Sequence, residues 1–176
     1  MKHSDCVKLL ENGVPAQSRV WAEFGSGDGA FTLALAELIH PDGTIYSIDI
    51  DKRAVNQQRK EMQMQFPDLE VHYLTADFTK PLNLSSLDGI LMANALHYIK
   101  EKESFISKIR NYLKTNGRFL IVEYNIDHGN HWVPYPISFK SWHTLAIKSG
   151  FTETHLLKKI PSKYHNEIYS AVSLKK

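Results

Sequence analysis

Three carboxylates and three glycines stand close together early in the chain: Glu23-Phe24-Gly25-Ser26-Gly27-Asp28-Gly29, and then Asp49 twenty positions beyond Gly29. Glycine allows a tight turn with positive φ and lets a ligand approach the backbone with no Cβ in the way. The spacing is G-x-G-x-G, not the G-x-G-x-x-G of a dinucleotide fingerprint, and no G-K-[ST] follows to make a Walker loop. Carboxylates at 23 and 28 would repel a pyrophosphate. They suit a ligand whose near end is positive, such as an amino group or a sulfonium. Asp49 can accept both hydrogen bonds of a ribose diol. In Leu74-Thr75-Ala76-Asp77-Phe78, Asp77 can accept from an exocyclic amine while Phe78 covers a flat base.

A second group of reactive residues lies further along. His97 follows the apolar run Leu87–Ala93, and histidine, which titrates near neutrality, is the natural general base. Glu123 and Tyr124 close the next strand, facing the same crevice. After them, Asp127-His128-Gly129-Asn130-His131-Trp132-Val133-Pro134-Tyr135-Pro136 reads equally as an acceptor-pocket wall of aromatics or as a proline-braced connection packed on the sheet. Asp127, His128 and His131 are metal-ligand types, but nothing else at metal spacing accompanies them, so no metal is expected.

The elements that must position these residues alternate short apolar runs with amphipathic helices. Strands are expected at Val20–Phe24, Thr44–Ile50, Leu69–Leu74, Leu87–Ala93 and Arg118–Tyr124. Helices are expected after Gly29, over Lys52–Phe66, through Ile106, Ile109 and Leu113 to a Gly117 at C′, and from a Ser138 cap to Ser149-Gly150. Two last strands, Phe151–Lys159 and His165–Ser173, leave no room for a crossover helix and must be antiparallel. The expectation is an α/β Rossmann-like doubly wound seven-stranded sheet, mostly parallel with an antiparallel C-terminal strand. Residues 1–176 are read as one domain, with 1–14 a helical lead-in.

Composition fits this. The chain has 176 residues, 43% apolar and 23% charged, with Lys plus Arg at 21 against 19 for Asp plus Glu. A formal charge of +2 gives no argument for a nucleic-acid partner. Cys6 is the only cysteine, which excludes an internal disulfide and points to a reducing cytoplasm. No signal-peptide core and no long apolar run points to a membrane.

On the glycine loop, Asp49, Asp77 and the closing hairpin, in that order, the chain resembles the class I S-adenosylmethionine-dependent methyltransferases, in particular the small-molecule kind related to ubiquinone and menaquinone biosynthesis. The resemblance covers roughly residues 19–173. It implies that Glu23, Gly25, Ser26, Gly27 and Gly29 hold the methionine end and ribose edge of S-adenosylmethionine. It also implies that Asp49 binds the ribose with Ile50 on the adenine, and that Asp77 takes the adenine amine beside Phe78. The stretch Asp88–Tyr98 resembles the family's segment flanking the transferred methyl, with Asn94 on the cofactor side and His97 as the candidate base. Glu123, Tyr124, Trp132 and Tyr135 are then the expected acceptor residues.

The expected activity is methyl transfer to a small-molecule acceptor, leaving S-adenosylhomocysteine. Fewer than twenty residues precede the first strand and no connection is long enough for a lid domain. An open pocket, with room for completion by a second subunit as a homodimer, is therefore expected. An RNA- or protein-directed methyltransferase and a non-catalytic binder of the same cofactor remain alternatives. The proline clamp of base-methylating enzymes is absent, since Ala93-Asn94-Ala95-Leu96 stands in its place.

Overall fold

The computed structural model describes all residues 1–176. Seven strands form one sheet in the order β3-β2-β1-β4-β5-β7-β6. They are β1 (Val20–Phe24), β2 (Thr44–Asp49), β3 (Glu70–Thr75), β4 (Leu87–Ala93), β5 (Leu113–Tyr124), β6 (Glu153–Ser162) and β7 (Asn166–Leu174). The first five run parallel; β7 alone is reversed, pairing antiparallel with both β5 and β6. Parallel strands need covered faces, and β1 and β4 are accordingly apolar almost without a break.

The helices are α1 (His3–Leu10), α2 (Ala30–Ile39), α3 (Lys52–Gln65), α4 (Lys102–Ile109) and α5 (Phe139–Lys148). One core layer joins Leu9, Leu10, Leu35, Ile39 and Met62 of α1–α3 to Trp21, Ile45, Leu91 and Leu120 of the sheet. The other joins Ile106 and Ile109 of α4 and Trp142 of α5 to Phe24, Ile48, Met92 and Phe119. Alternate residues of the central strands serve opposite layers, so the middle of the sheet is covered on both sides.

Two helix ends carry the expected chemistry. Ser138 caps α5 by accepting from the Ser141 N–H, and Gly150 beyond it has φ +88°. The Asp51 side chain caps α3. One boundary is corrected: α4 ends at Ile109, a 3₁₀ turn spans Arg110–Tyr112, and β5 already begins at Leu113. Leu113 pairs with Leu87, and the register then shifts so that Arg118 faces Gly89. The left-handed residue in this irregular lead is Asn116, at φ +62°, and not Gly117. Pairing with the sheet thus overrides the helical spacing of Leu113.

No helix is long and apolar enough to cross a membrane. Strand order divides the sheet's upper edge in two. The carboxyl ends of β1, β2 and β3 lie on one half of that edge, and those of β4 and β5 on the other, beside the β6–β7 turn.

Candidate active site

The first half is built around the glycine loop. Gly25 and Ser26 N–H groups donate to Ile48 O at 2.8 and 3.1 Å, continuing β1 toward β2 past the end of the strand. Gly25 has φ +80°, and a Cβ there would come within 2.6 Å of the Ala95 methyl. Gly27, at φ +53°, faces open space with nothing within 4 Å of an added Cβ. The loop therefore needs glycine at 25 for clearance, while at 27 it leaves a bare stretch of backbone for a ligand.

Asp49 ends β2 directly beneath this loop. Its Oδ2 accepts the Gly27 N–H and its Oδ1 the Asp51 N–H, each at 2.8 Å. Two backbone donors fix the carboxylate, and each oxygen keeps a free lone pair for an incoming diol. Asp77 is similar: its Oδ1 accepts both the Thr79 N–H and hydroxyl, which hold its carboxyl below the usual carboxylate range. Phe78 is half-buried and stacks on Phe24 with ring centroids 6.1 Å apart. Ile50 is 72% exposed at the end of β2.

Glu23 departs from expectation. It is 1% exposed, in a strand covered on both faces, and Thr32 Oγ1 donates to its Oε2. Burial first, then Asp49 and Asp28 nearby, push its carboxyl up to about 8 against the opposing hydrogen bond from Thr32. Near neutral pH it is mostly uncharged, so the negative character of the crevice rests on Asp28 and Asp49. Glu23 supports the loop from below.

The second half begins where β4 ends. Ala93 pairs with Val122, and the next residue, Asn94, turns out of the sheet at φ +51° with its N–H on Val122 O. A 3₁₀ turn, Leu96–Tyr98, then folds His97 over the adjacent Glu123 of β5. The His97 N–H meets Glu123 Oε1 at 3.1 Å, and His97 Nδ1 meets Oε2 at 2.8 Å. Glu123 is fully buried and His97 3% exposed. The carboxylate holds a proton on Nδ1 and leaves the Nε2 lone pair free. Glu123 is expected among the acceptor residues, but it has no exposed surface and both its oxygens face His97, so it stands behind the pocket wall.

His97 lines a cavity of about 500 Å³ with Asn94, Tyr98, Tyr124, Trp132 and Tyr164, among others. A second cavity of about 680 Å³, reaching Lys2 at the start of α1 and the β6–β7 turn, shares Asn94, Tyr124 and Tyr164 with the first. The Asn94 Oδ1 between them is buried and has no hydrogen-bond partner. An orphaned acceptor invites a donor from a bound molecule. With the bare Gly27 backbone and the free lone pairs of Asp49, it fits the amino and nucleoside ends of S-adenosylmethionine.

The 125–137 stretch is a braced connection that also reaches the cavity. It is braced: Asn125 Oδ1 accepts from Phe139 N–H, and Asn130 Oδ1 from the Trp132 and Val133 N–H groups. Asp127 accepts from the Ser138 N–H. It also supplies Asn130, Trp132 and Val133 to the cavity. Tyr135 does not line it; its N–H donates to His97 O, and Lys102 bonds its carbonyl and sits over its ring. No three His, Cys, Asp or Glu residues are grouped to hold a metal ion. Sequence reasoning missed Tyr164 and His165, which the β6–β7 turn brings against Tyr124, the His165 ring lying edge-on to it with centroids 4.9 Å apart. Two aromatic rings in a hairpin turn, where small polar residues are usual, were the available signal.

The chain is similar to known methyltransferases. Over 104 residues the chain is 28% identical to the ubiquinone/menaquinone biosynthesis C-methyltransferase UbiE of Wigglesworthia glossinidia brevipalpis, a match covering 58% of this chain and 42% of that protein. The matched stretch is thus less than half of that relative. The fold of the YcgJ protein from Bacillus subtilis superposes with a TM-score of 0.75 at 16% identity, covering 99% of both chains. A Haemonchus contortus phosphoethanolamine N-methyltransferase, solved with phosphomonomethylethanolamine and S-adenosylhomocysteine, gives 0.76 at 13% identity, covering 98% of this chain and 52% of its own. The family model for the methyltransferase domain matches residues 21–169, and the chain belongs to that family.

Proposed function

We propose that the protein transfers a methyl group from S-adenosylmethionine to a small-molecule acceptor that must lose a proton, from an O–H or an acidic C–H. The observation that carries this reading is the buried His97–Glu123 pair at the wall of an aromatic cavity. When bound, the cofactor supplies an electrophilic methyl on its sulfonium. Asp49 grips the ribose, while Asp77, Phe78 and Ile50 take the adenine. Gly25, Ser26, Gly27 and Gly29 shape the floor, and Asn94 Oδ1 accepts from the amino group.

His97 Nε2 takes the acceptor's proton, and Glu123 stabilises the imidazolium that results. Tyr98, Tyr124, Trp132 and Tyr164 flank the acceptor and give it aromatic surface to pack on. Holding both partners in line can supply roughly 7–11 kcal/mol of barrier reduction. The single cysteine, buried Cys6, agrees with a cytoplasmic setting.

The test is consumption of the methyl donor against phenols, quinols, acids and amines, with the H97Q and E123Q variants beside the parent. Loss of the base should lower turnover by about 10²–10⁴-fold, with S-adenosylhomocysteine affinity unchanged. E123Q should lower turnover too, because an amide no longer fixes the imidazole proton. Turnover that survives H97Q on every acceptor removes His97 from the chemistry. A parent that binds the cofactor but consumes none across the set is a non-catalytic binder.

A further inference from the structure

The outer helix α3 shows the feature the reaction leaves unexplained. Its core-facing positions are Val55, Gln58 and Met62, and the middle one is a glutamine with no exposure at all. Fully buried, unpaired amides are costly, so such a residue is kept for its partners. Gln58 has several, and all belong to the donor half of the site. Its Oε1 accepts from Ser47 Oγ of β2 at 2.8 Å and, at 3.4 Å, from Ser26 Oγ inside the glycine loop. Its Nε2 donates to Thr32 Oγ1 of α2, which in turn donates to Glu23. Ser47 and Ser26 are themselves 2.8 Å apart.

The same side chain also sets the loop's exit. A Cβ on Gly29, at φ +91°, would lie 2.3 Å from Gln58 Cγ. The loop is therefore pressed against the amide's stem at Gly29 and tethered to its oxygen at Ser26. Between those two points is Gly27, whose N–H rests on Asp49. One amide thus fastens together the loop, the end of β2 and the start of α2. All five polar members of the cluster, Glu23, Ser26, Thr32, Ser47 and Gln58, are buried, and in such surroundings their hydrogen bonds are strong and their loss is felt jointly.

We propose that Gln58 is a positioning residue for the donor site: from the next helix it holds Ser26 and Gly29 so that the loop presents Gly27 and Asp49 ready to receive the adenosyl ligand. This rests on the reading of that crevice as the S-adenosylmethionine site. Gln58 itself is enclosed behind the loop and touches no ligand.

Calorimetric titration of S-adenosylhomocysteine into the parent, Q58M and S47A at 25 °C, with melting temperatures in parallel, tests it. Methionine keeps the length and fills the space but makes none of the hydrogen bonds. Q58M should bind at least tenfold more weakly, and S47A, which removes only one partner, about threefold. Acceptor KM and turnover at saturating donor should stay within twofold. A third variant, Q58E, keeps the acceptor oxygens but regains a donor toward Thr32 only when protonated, so its affinity should recover as pH is lowered. A part that merely fills the core predicts lower melting temperatures with unchanged affinity in folded Q58M and S47A. That result overturns the proposal. If Q58M does not fold, S47A and Q58E decide, and parent-like binding by both with no pH dependence overturns it equally. A parent that fails to bind the probe defeats the cofactor reading first and the role of Gln58 with it.

Discussion

The two halves of the site are held in different ways. On the proposed donor side, between Glu23 and Asp77, the carboxylates of Asp49 and Asp77 are locked by the chain's own backbone and hydroxyls, and a buried polar cluster stands behind them. On the acceptor side, one buried hydrogen-bonded pair, His97 with Glu123, fixes the imidazole. Apart from Tyr124, which ends β5, the remaining lining comes from connections outside the ladder, where Trp132 is 79% and Tyr164 81% exposed. A crevice for a fixed cofactor is set rigidly before the ligand arrives, which limits the ordering cost of binding. A chamber built from loops can change its contents while the sheet stays as it is.

The sharpest way to break this contrast is to remove Asp49. D49A deletes the diol acceptors and also frees the Gly27 and Asp51 N–H groups, so S-adenosylhomocysteine affinity should fall by about a hundredfold or more. Titration calorimetry measures this, and affinity within threefold of the parent would show that the ribose lies elsewhere.

Next is the polar support of the donor half. Glu23 binds its proton more tightly folded than unfolded, its carboxyl having moved from 4.5 to about 8. A raised carboxyl favours the fold fully below the unfolded value, and that contribution is lost as pH climbs through the folded one. Stability of the parent should therefore decline between about pH 4.5 and 8. E23Q, which cannot ionise, should overtake it by on the order of 2 kcal/mol at pH 8. Denaturant melts of both proteins at pH 5 and pH 8 check this, and parallel behaviour at the two pH values refutes it.

The smallest effect belongs to the acceptor side. W132A should raise acceptor KM by about tenfold through lost apolar and ring contact, with donor affinity and melting temperature unchanged, because the side chain is mostly in solvent. Steady-state kinetics with either substrate varied separates these. A matching loss of donor affinity would mean that the two halves are coupled.

Much of the donor half was legible in the sequence because it is local. Glycine spacing, strand-end acids and the helix after them are neighbours along the chain, so a motif can carry them. The direction of Glu23 was not read, although Trp21-Ala22-Glu23-Phe24 has no polar alternation and a strand covered on both faces leaves no outward side. The same holds for Glu123 after Leu120-Ile121-Val122. Gln58 was hidden for a related reason: among the charged residues of α3 it looked like one more solvated side chain, and only the Val55–Met62 stripe marks its face. Tyr164 and His165 could not be placed at all without knowing that β7 inserts between β5 and β6.

That insertion has an evolutionary reading. Because the reversed strand returns the tip of the last hairpin to the mouth of the chamber, residues 163–165 can be lengthened, shortened or exchanged with almost no ladder pairing at stake. On the proposed reading of the two halves, descendants of this chain could acquire a new methyl recipient by altering a few residues at one corner, while the nucleoside pocket passes down unaltered.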